Sequence, residues 1–104
     1  MHPYHLMKEY LNPIFQKSGY GEISEELHPD IFGSAYSVFD NNRSRIRLVW
    51  DGKDGCGYAQ IFNPKVRGEW EDIACYLTEG DLGGELPNRE KIDEICVAIE
   101  KVAI

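Results

Sequence analysis

The stretch RIRLVWDGKDGCGYAQIFN (residues 45–63) decides the fold. In both of its halves apolar side chains alternate with polar or small ones, which is the period-two pattern of strands that are buried on one face. Between the halves, residues 51–55 contain two Asp/Gly turn elements of the kind that close hairpins. We therefore expect an antiparallel hairpin with strands at residues 45–51 and 57–63.

Two further strands are predicted on either side of this hairpin. Residues 32–40 alternate around Tyr36 and Val38, and the turn signal at residues 41–44 separates them from the hairpin. Residues 70–79 place Ile73, Cys75 and Leu77 on one face, and a loop is expected before them at residues 63–68. Residues 22–31 are interpreted as an acidic connector.

The two ends of the chain carry the spacing of amphipathic helices. Residues 2–18 repeat apolar side chains every three or four positions, and Pro13 predicts either a kink or a second short helix capped by Asn12. Residues 88–102 repeat the same pattern, and residues 80–87 are expected to form a flexible acidic loop. The prediction is one α+β domain over residues 1–104, a four-stranded antiparallel β-meander between an N-terminal and a C-terminal helix (α-β-β-β-β-α), with both helices on one face.

Composition limits the class of protein. The chain has 104 residues, a formal net charge of −7, 42% hydrophobic and 28% charged residues, which fits one globular domain and excludes a disordered chain. No apolar run approaches the ~20 residues of a membrane span, and the N-terminus lacks the pattern of a secretory signal. Three cysteines, an odd number without metal-site spacing, are typical of a reducing compartment. We expect a cytoplasmic protein without a membrane partner.

Catalytic and cofactor motifs do not stand out. The three histidines (His2, His5 and His28) show no metal-ligand spacing, and Ser34 lies in no nucleophile motif. The glycines at residues 80–84 stand among acids without a lysine, which is the wrong sign for a phosphate site. Cys75 and Cys96 are expected in the core, and Cys56 is expected as an exposed thiol. We expect no enzyme activity, no cofactor and no metal.

The charge is unevenly distributed. Residues 1–68 are balanced, whereas residues 69–104 hold ten acids against three bases and carry the whole net charge. Such an acidic region attracts basic proteins and repels nucleic acid, so no direct nucleic-acid partner is expected. The basic side chains around Arg45 and Arg47 are interpreted as a solvated strand face that pairs with nearby acids, with self-association as the alternative.

The acid-only run at residues 69–85 is the candidate binding region, because aromatic anchors beside charged side chains are common in protein recognition. Trp50 and Trp70, taken individually, are both expected in the core rather than at an interface, although Trp70 also belongs to this acidic set. The predicted partner-binding residues are Glu69, Trp70, Glu71, Asp72, Tyr76, Glu79, Asp81 and Glu85.

Three short stretches resemble a known class of proteins. FGSAY (residues 32–36), IRLVWDGKDG (residues 46–55) and WEDI (residues 70–73) together resemble small bacterial immunity proteins encoded beside contact-dependent growth-inhibition toxins and other polymorphic toxins. The resemblance implies an acidic cytoplasmic protein that binds and occludes a cognate toxin C-terminal domain, often a basic nuclease. We expect the chain itself to be a monomer or a weak homodimer. The residues themselves leave two alternatives open, a small homodimeric regulatory or structural module and a small ligand-binding domain.

Overall fold

The structure is a computed structural model that describes residues 2–62, 70–83 and 87–102, apart from the side chains of Ala74, Cys75 and Val102. Within these residues five strands form one antiparallel sheet in chain order, which confirms the α+β class and the meander. The elements are α1 (Pro3–Lys17), β1 (Gly21–His28), β2 (Ser34–Asp40), β3 (Arg45–Asp51), β4 (Cys56–Phe62), β5 (Trp70–Thr78), α2 (Glu79–Gly83) and α3 (Arg89–Val102). The loop expected at residues 63–68 lies outside the described residues.

The acidic connector expected at residues 22–31 is wrong in part. Residues 21–28 form β1, a fifth strand at the edge of the sheet. The stretch lacks apolar alternation because acids stand where a central strand has core side chains. Glu22 and Glu25, on the helix-bearing face, both pair with Lys8 of α1, at 2.6 and 2.7 Å between Nζ and the carboxylate oxygens. An ion-pair cluster thus replaces hydrophobic burial at this edge.

A buried hydrogen-bond chain continues this cluster into the core. The Tyr4 hydroxyl donates to Glu25 Oε2 at 2.7 Å and also hydrogen-bonds the fully buried hydroxyl of Ser37 on β2. Burial, together with the hydrogen bond to Glu25, raises the pKa of Tyr4 to about 12. Each buried polar group in these hydrogen bonds has a partner. The hydrogen bonds therefore hold β1 against α1 and β2 and leave no buried donor or acceptor unsatisfied.

The core lies on one face of the sheet. α1 packs against β2, β3 and β4, α3 packs against β5, and the two helices contact each other, which confirms that both lie on one face. Trp50 is 4% exposed and belongs to this core, as predicted. The same expectation is wrong for Trp70, which is only partly buried at the start of β5. The sheet side chains buried beneath the helices are Ala35, Ser37, Phe39, Ile46, Leu48, Trp50, Ala59, Ile73 and Leu77. In the described part of the chain, no helix has the length and apolar character that crossing a membrane needs.

Two helical segments differ from expectation. α1 is one continuous helix that includes Pro13. Proline has no N–H, so the carbonyl of Glu9 lacks its helical hydrogen bond. Both residues are exposed, so water can bind this carbonyl instead. Residue 79, expected at the end of a strand, and residues 80–83, expected within a flexible loop, form the short helix α2, with Leu82 buried against the core. Residues 84–86 of that expected loop lie outside the described residues.

The turn between β1 and β2 fits closely against the turn after β3. Phe32 adopts a left-handed backbone (φ 56°) and is 70% exposed. The Gly52 amide donates to Ser34 Oγ at 2.9 Å, and a Cβ on Gly52 would lie 1.9 Å from the carbonyl oxygen of Phe32. Only glycine therefore allows the two turns to approach this closely.

Replacing Gly52 by alanine should force these turns apart. We expect Gly52→Ala to lower the free energy of unfolding by at least about 2 kcal/mol, measured by chemical denaturation. Gly21→Ala is the matched control, since a Cβ there meets no atom within 4 Å and the backbone is not left-handed. Equal stability of the two variants would contradict the close approach of the turns.

Candidate functional site

The face of the sheet opposite the helices carries a row of polar and aromatic side chains. Strand alternation that buries Ile46 and Leu48 beneath α1 directs Arg47 to the other face, as the sequence predicts. The strand register then places Arg47 opposite Gln60, and Gln60 opposite Asp72. Within the described residues no helix packs on this side, which we call the open face.

Arg47 is the centre of the open face. Its guanidinium carbon lies 4.4 Å from the ring centroid of Trp70 and 5.8 Å from that of Tyr36, within the range of cation–π attraction. Its Nε and one terminal nitrogen both donate to Gln60 Oε1. Two aromatic rings and one amide thus fix the guanidinium. The sequence predicts that Arg47 pairs with a nearby acid, but no such ion pair is seen among the described residues.

Asp72 continues the row on β5. Gln60 Nε2 donates to Oδ1 at 2.8 Å and the Tyr76 hydroxyl donates to Oδ2 at 2.7 Å. These hydrogen bonds lower the pKa of Asp72, so the carboxylate stays charged. A carboxylate has about four acceptor positions. Because these two bonds occupy only half of them, and Asp72 is exposed, it can accept further donors from outside.

The row extends towards both edges of the sheet. Hydrogen bonds with Tyr36 and His28 lower the pKa of Glu26, and the His28 Nε2 to Glu26 Oε2 distance is 3.2 Å. At the other end, the rings of Tyr58 and Tyr76 meet edge to face with centroids 5.3 Å apart. Side chains of all five strands therefore form one continuous chain of contacts across the open face.

One end of the open face is concave. A cavity of 330 Å³ lies where β2, β3 and β4 meet the two turns, with the exposed Phe32 beside it. Its lining includes Phe32, Tyr36, Val49, Asp51, Lys53 and Tyr58. A hollow of this size can take one or two side chains of a partner, next to the aromatic row.

The predicted acidic region divides between several surfaces. Trp70, Asp72 and Tyr76 lie on the open face, where Trp70 contacts Arg47 and where Gln60 and Tyr76 donate hydrogen bonds to Asp72. Glu71 pairs across from Ile61 and therefore belongs to the opposite side, at the edge of the sheet. Glu79 is exposed on α2, and Glu69 and Glu85 lie outside the described residues.

Asp81 has a structural role in addition. Its Oδ2 accepts from the backbone N–H of Thr78 at 2.8 Å, and its own N–H donates to Thr78 Oγ1 at 3.2 Å. This reciprocal pair is a capping box that starts α2. Asn88 and Lys91 also donate to this carboxylate, so it joins α2 to the start of α3.

Sequence reasoning missed most of the open-face residues. Arg47 was interpreted as part of a solvated basic face, and Gln60, Tyr36 and Tyr58 were not singled out. The available signal was their outward position in the strand alternation, but their contacts depend on the register between strands. The expected pairing of basic strand residues with acids is seen for Arg45, whose Nε lies 2.9 Å from Asp40 Oδ2.

The three histidines meet at a second hollow, between the start of α1 and the end of β1. His2, His5 and His28 line a cavity of 210 Å³ together with Tyr4 and Leu27. This volume is below the ~300–1,000 Å³ of typical small-molecule sites. Among the described residues no group of three or more His, Cys, Asp or Glu side chains is arranged to hold a metal ion.

The cysteines fit their expected places in part. Cys96 is partly buried against the core and Cys56 is partly exposed at the start of β4, and neither forms a disulfide. Burial raises the pKa of both thiols, so neither is activated as a nucleophile at neutral pH. The side chain of Cys75 lies outside the described residues.

Comparison of the chain with protein-family models, with curated proteins and with solved structures finds no match. The functional argument therefore depends on the residues and their geometry.

Acid titration should reveal the structural role of Asp81. Its hydrogen bonds, first that from the Thr78 amide, lower its pKa to about 2. The charged form therefore stabilises the fold at neutral pH, and this contribution is lost as the pH falls from about 4 to about 2. We expect Asp81→Asn to lower the free energy of unfolding by about 1–2 kcal/mol at pH 7 and by less near pH 2.

The matched control is Asp93→Asn, at an exposed position on α3. Denaturation of both variants across this pH range measures the difference. A loss that is the same for both aspartates, or that does not shrink in acid, would contradict the capping role of Asp81.

Proposed function

We propose that this chain is a protein-binding module that docks a partner on its open face, and that it acts as an immunity protein for a cognate toxin domain. The observation that supports the proposal most directly is the row of contacts centred on Arg47, which crosses all five strands on a face that no described helix covers. The loose resemblance in residues 32–36, 46–55 and 70–73 supports the toxin-binding role. That role is performed in the cytoplasm without catalysis.

The composition of the open face suits protein recognition. Arginine, tryptophan and tyrosine supply most of the binding energy at protein interfaces. Here Trp70 and Gln60 hold Arg47 in place, and Tyr76 holds Asp72 in place, before any partner arrives. Binding a partner therefore has to order few additional side chains. Each side chain that is already fixed saves an entropy cost of roughly 0.5–1.5 kcal/mol on association.

The charge of the open face favours a basic partner. Among the described strand residues, its carboxylates are those of Glu26, Asp40, Asp51 and Asp72, and its guanidinium groups are those of Arg45 and Arg47. The chain as a whole carries −7, so long-range attraction accelerates encounter with a basic protein. In a basic nuclease the cations that hold substrate phosphates would then donate to free lone pairs of Asp72 and Glu26.

The dimensions of the open face fit a blocking role. Five strands at about 4.8 Å spacing and seven to nine residues long give a surface roughly 20–30 Å on each side. A standard protein interface buries about 800 Å² of each partner. Docking of this face across an active-site cleft is therefore enough to exclude a nucleic-acid substrate.

Charge reversal on the open face tests the proposal. The probe is the C-terminal domain of any large exported protein that proves to be encoded directly upstream of this chain. The two are co-expressed, and their binding is then measured by titration calorimetry. We expect Asp72→Arg to weaken binding at least about tenfold and to abolish growth rescue, because it removes an acceptor and places two guanidinium groups together.

Asp93→Arg is the matched control, since it makes the same charge change at an exposed site on α3, which packs on the other side of the sheet. Asp93→Arg should lower the affinity only slightly, because it reduces the net negative charge that attracts a basic partner from a distance. Equal loss in both variants would mean that net charge alone acts, and unchanged binding by Asp72→Arg would remove the open face from the interface.

A further inference from the structure

The cavity of 330 Å³ at the end of the open face is bounded by two tyrosine side chains. The strand register places Val49 of β3 between Tyr36 of β2 and Tyr58 of β4, and all three residues line the cavity. Because neighbouring strands are about 4.8 Å apart, the Cα atoms of the two tyrosines are roughly 10 Å apart. Val49 is therefore the floor, and the two tyrosines are the walls, of a space that we call the slot.

The width of the slot suits one planar group. Atoms in contact are separated by about 3.5–4 Å, so a planar group held between two aromatic faces needs walls about 7–8 Å apart. The valine side chain is much shorter than that of tyrosine, which leaves this space open above Val49. One flat side-chain group can therefore lie between Tyr36 and Tyr58.

A carboxylate stands at one end of the slot. Asp51 follows Val49 by two positions on β3, so it lies on the same face roughly 7 Å further along the strand. Its Oδ1 accepts hydrogen bonds from the backbone amides of Lys53 and Asp54, at 3.0 and 3.1 Å. Burial, and after it the charge of Asp51, raises the pKa of Tyr58, which places the carboxylate near this wall. The other carboxylate oxygen, Oδ2, is left to accept a donor from a bound group.

A third aromatic ring stands at the rim. Phe32, in the turn before β2, lines the same cavity and is 70% exposed. Its left-handed backbone (φ 56°) is rare for a bulky residue, and the close approach of its carbonyl to Gly52 holds it there. The packing of the two turns thus keeps an exposed phenylalanine beside the slot, where its ring can cover a bound side chain.

Aromatic walls with a carboxylate at one end attract a cation. The face of an aromatic ring is negative, and the open face already uses this attraction, since the Arg47 guanidinium carbon lies 5.8 Å from the ring centroid of Tyr36. A guanidinium is planar, stacks on aromatic faces and donates to carboxylates, whereas an ammonium is compact and more strongly hydrated. Arginine therefore matches both the flat shape of the slot and its charged end.

One cation of the chain also lines the cavity. Lys53 lies in the turn after β3 and is exposed. A lysine side chain is long enough to keep its ammonium in water while its stem lies along the protein. Lys53 can therefore leave the slot open, but its charge opposes a bound cation and would favour a bound anion. Its removal consequently reads the sign of the charge that the slot prefers.

We propose that the slot binds the guanidinium group of one arginine side chain that a partner protein presents. The group stacks between Tyr36 and Tyr58 and lies above Val49. It donates to Oδ2 of Asp51, and the ring of Phe32 covers it. This inference rests on the proposed function, because it names the side chain through which a basic partner would be anchored on the open face.

Titration of the chain alone with N-acetyl-arginine amide tests the slot without any partner protein. The NMR shifts of the backbone amides should saturate at millimolar probe and should be largest at Val49, Asp51 and Tyr58. N-acetyl-citrulline amide has nearly the same shape without the charge. It should bind at least about tenfold more weakly, because it loses the attraction of the aromatic faces and the carboxylate.

Variants of the turn after β3 identify the charge that matters. Asp51→Asn keeps an oxygen for the two turn amides but removes the charge, and it should weaken binding of the arginine probe at least about tenfold. Asp54→Asn is the matched control, since it makes the same charge change in the same turn at a residue outside the cavity lining. It should change the affinity little. Lys53→Gln should tighten binding, because it removes the opposing cation.

Four outcomes would overturn the proposal: no saturable shift with the arginine probe, equal binding of the citrulline probe, equal loss in Asp51→Asn and Asp54→Asn, or weaker binding in Lys53→Gln. Circular dichroism of each variant shows whether the fold is kept. Failure of the proposed function is a separate result. If the arginine probe does not bind but Asp72→Arg still breaks a toxin complex, only the slot is lost, and if the probe binds but no toxin domain does, only the immunity role is lost.

Discussion

Two helices cover only one face of a sheet five strands wide, and the rest of the structure depends on this one-sided packing. Strands β2 to β5 bury one set of alternate side chains beneath α1 and α3, so the other set stands on the open face. There Arg47 contacts Trp70 and Gln60, and Gln60 donates to Asp72, because the register brings β3, β4 and β5 together. The same constraint that builds the core therefore builds the candidate binding surface.

Alternation and helical periodicity predict most of the fold because they record which side of each element is buried. β2 to β5, α1 and α3 follow from such patterns, whereas β1 and α2 do not. β1 replaces core side chains with Glu22 and Glu25, whose partner is Lys8 of α1, a contact that no local pattern reveals. α2 depends on the capping box between Thr78 and Asp81, in a stretch whose glycines resemble a loop.

The candidate site is less predictable than the fold. The acidic run at residues 69–85 led to Trp70, Asp72 and Tyr76, which do lie on the open face, but Glu71 and Asp81 were grouped with them by closeness in sequence alone. Strand alternation separates Glu71 from Asp72. Arg47 could not be assigned, because its contacts with Trp70 and Gln60 require the register of three strands, which composition and spacing do not fix.

Side-chain footprinting tests the docking claim most directly. Hydroxyl-radical oxidation of the chain, alone and with the C-terminal domain of any large exported protein encoded directly upstream, reads the reactive rings of Tyr36, Trp70 and Tyr76 in one experiment. We predict that the partner protects all three and leaves Val97 on α3 unchanged. Protection confined to α3, or no complex at all, would contradict the account.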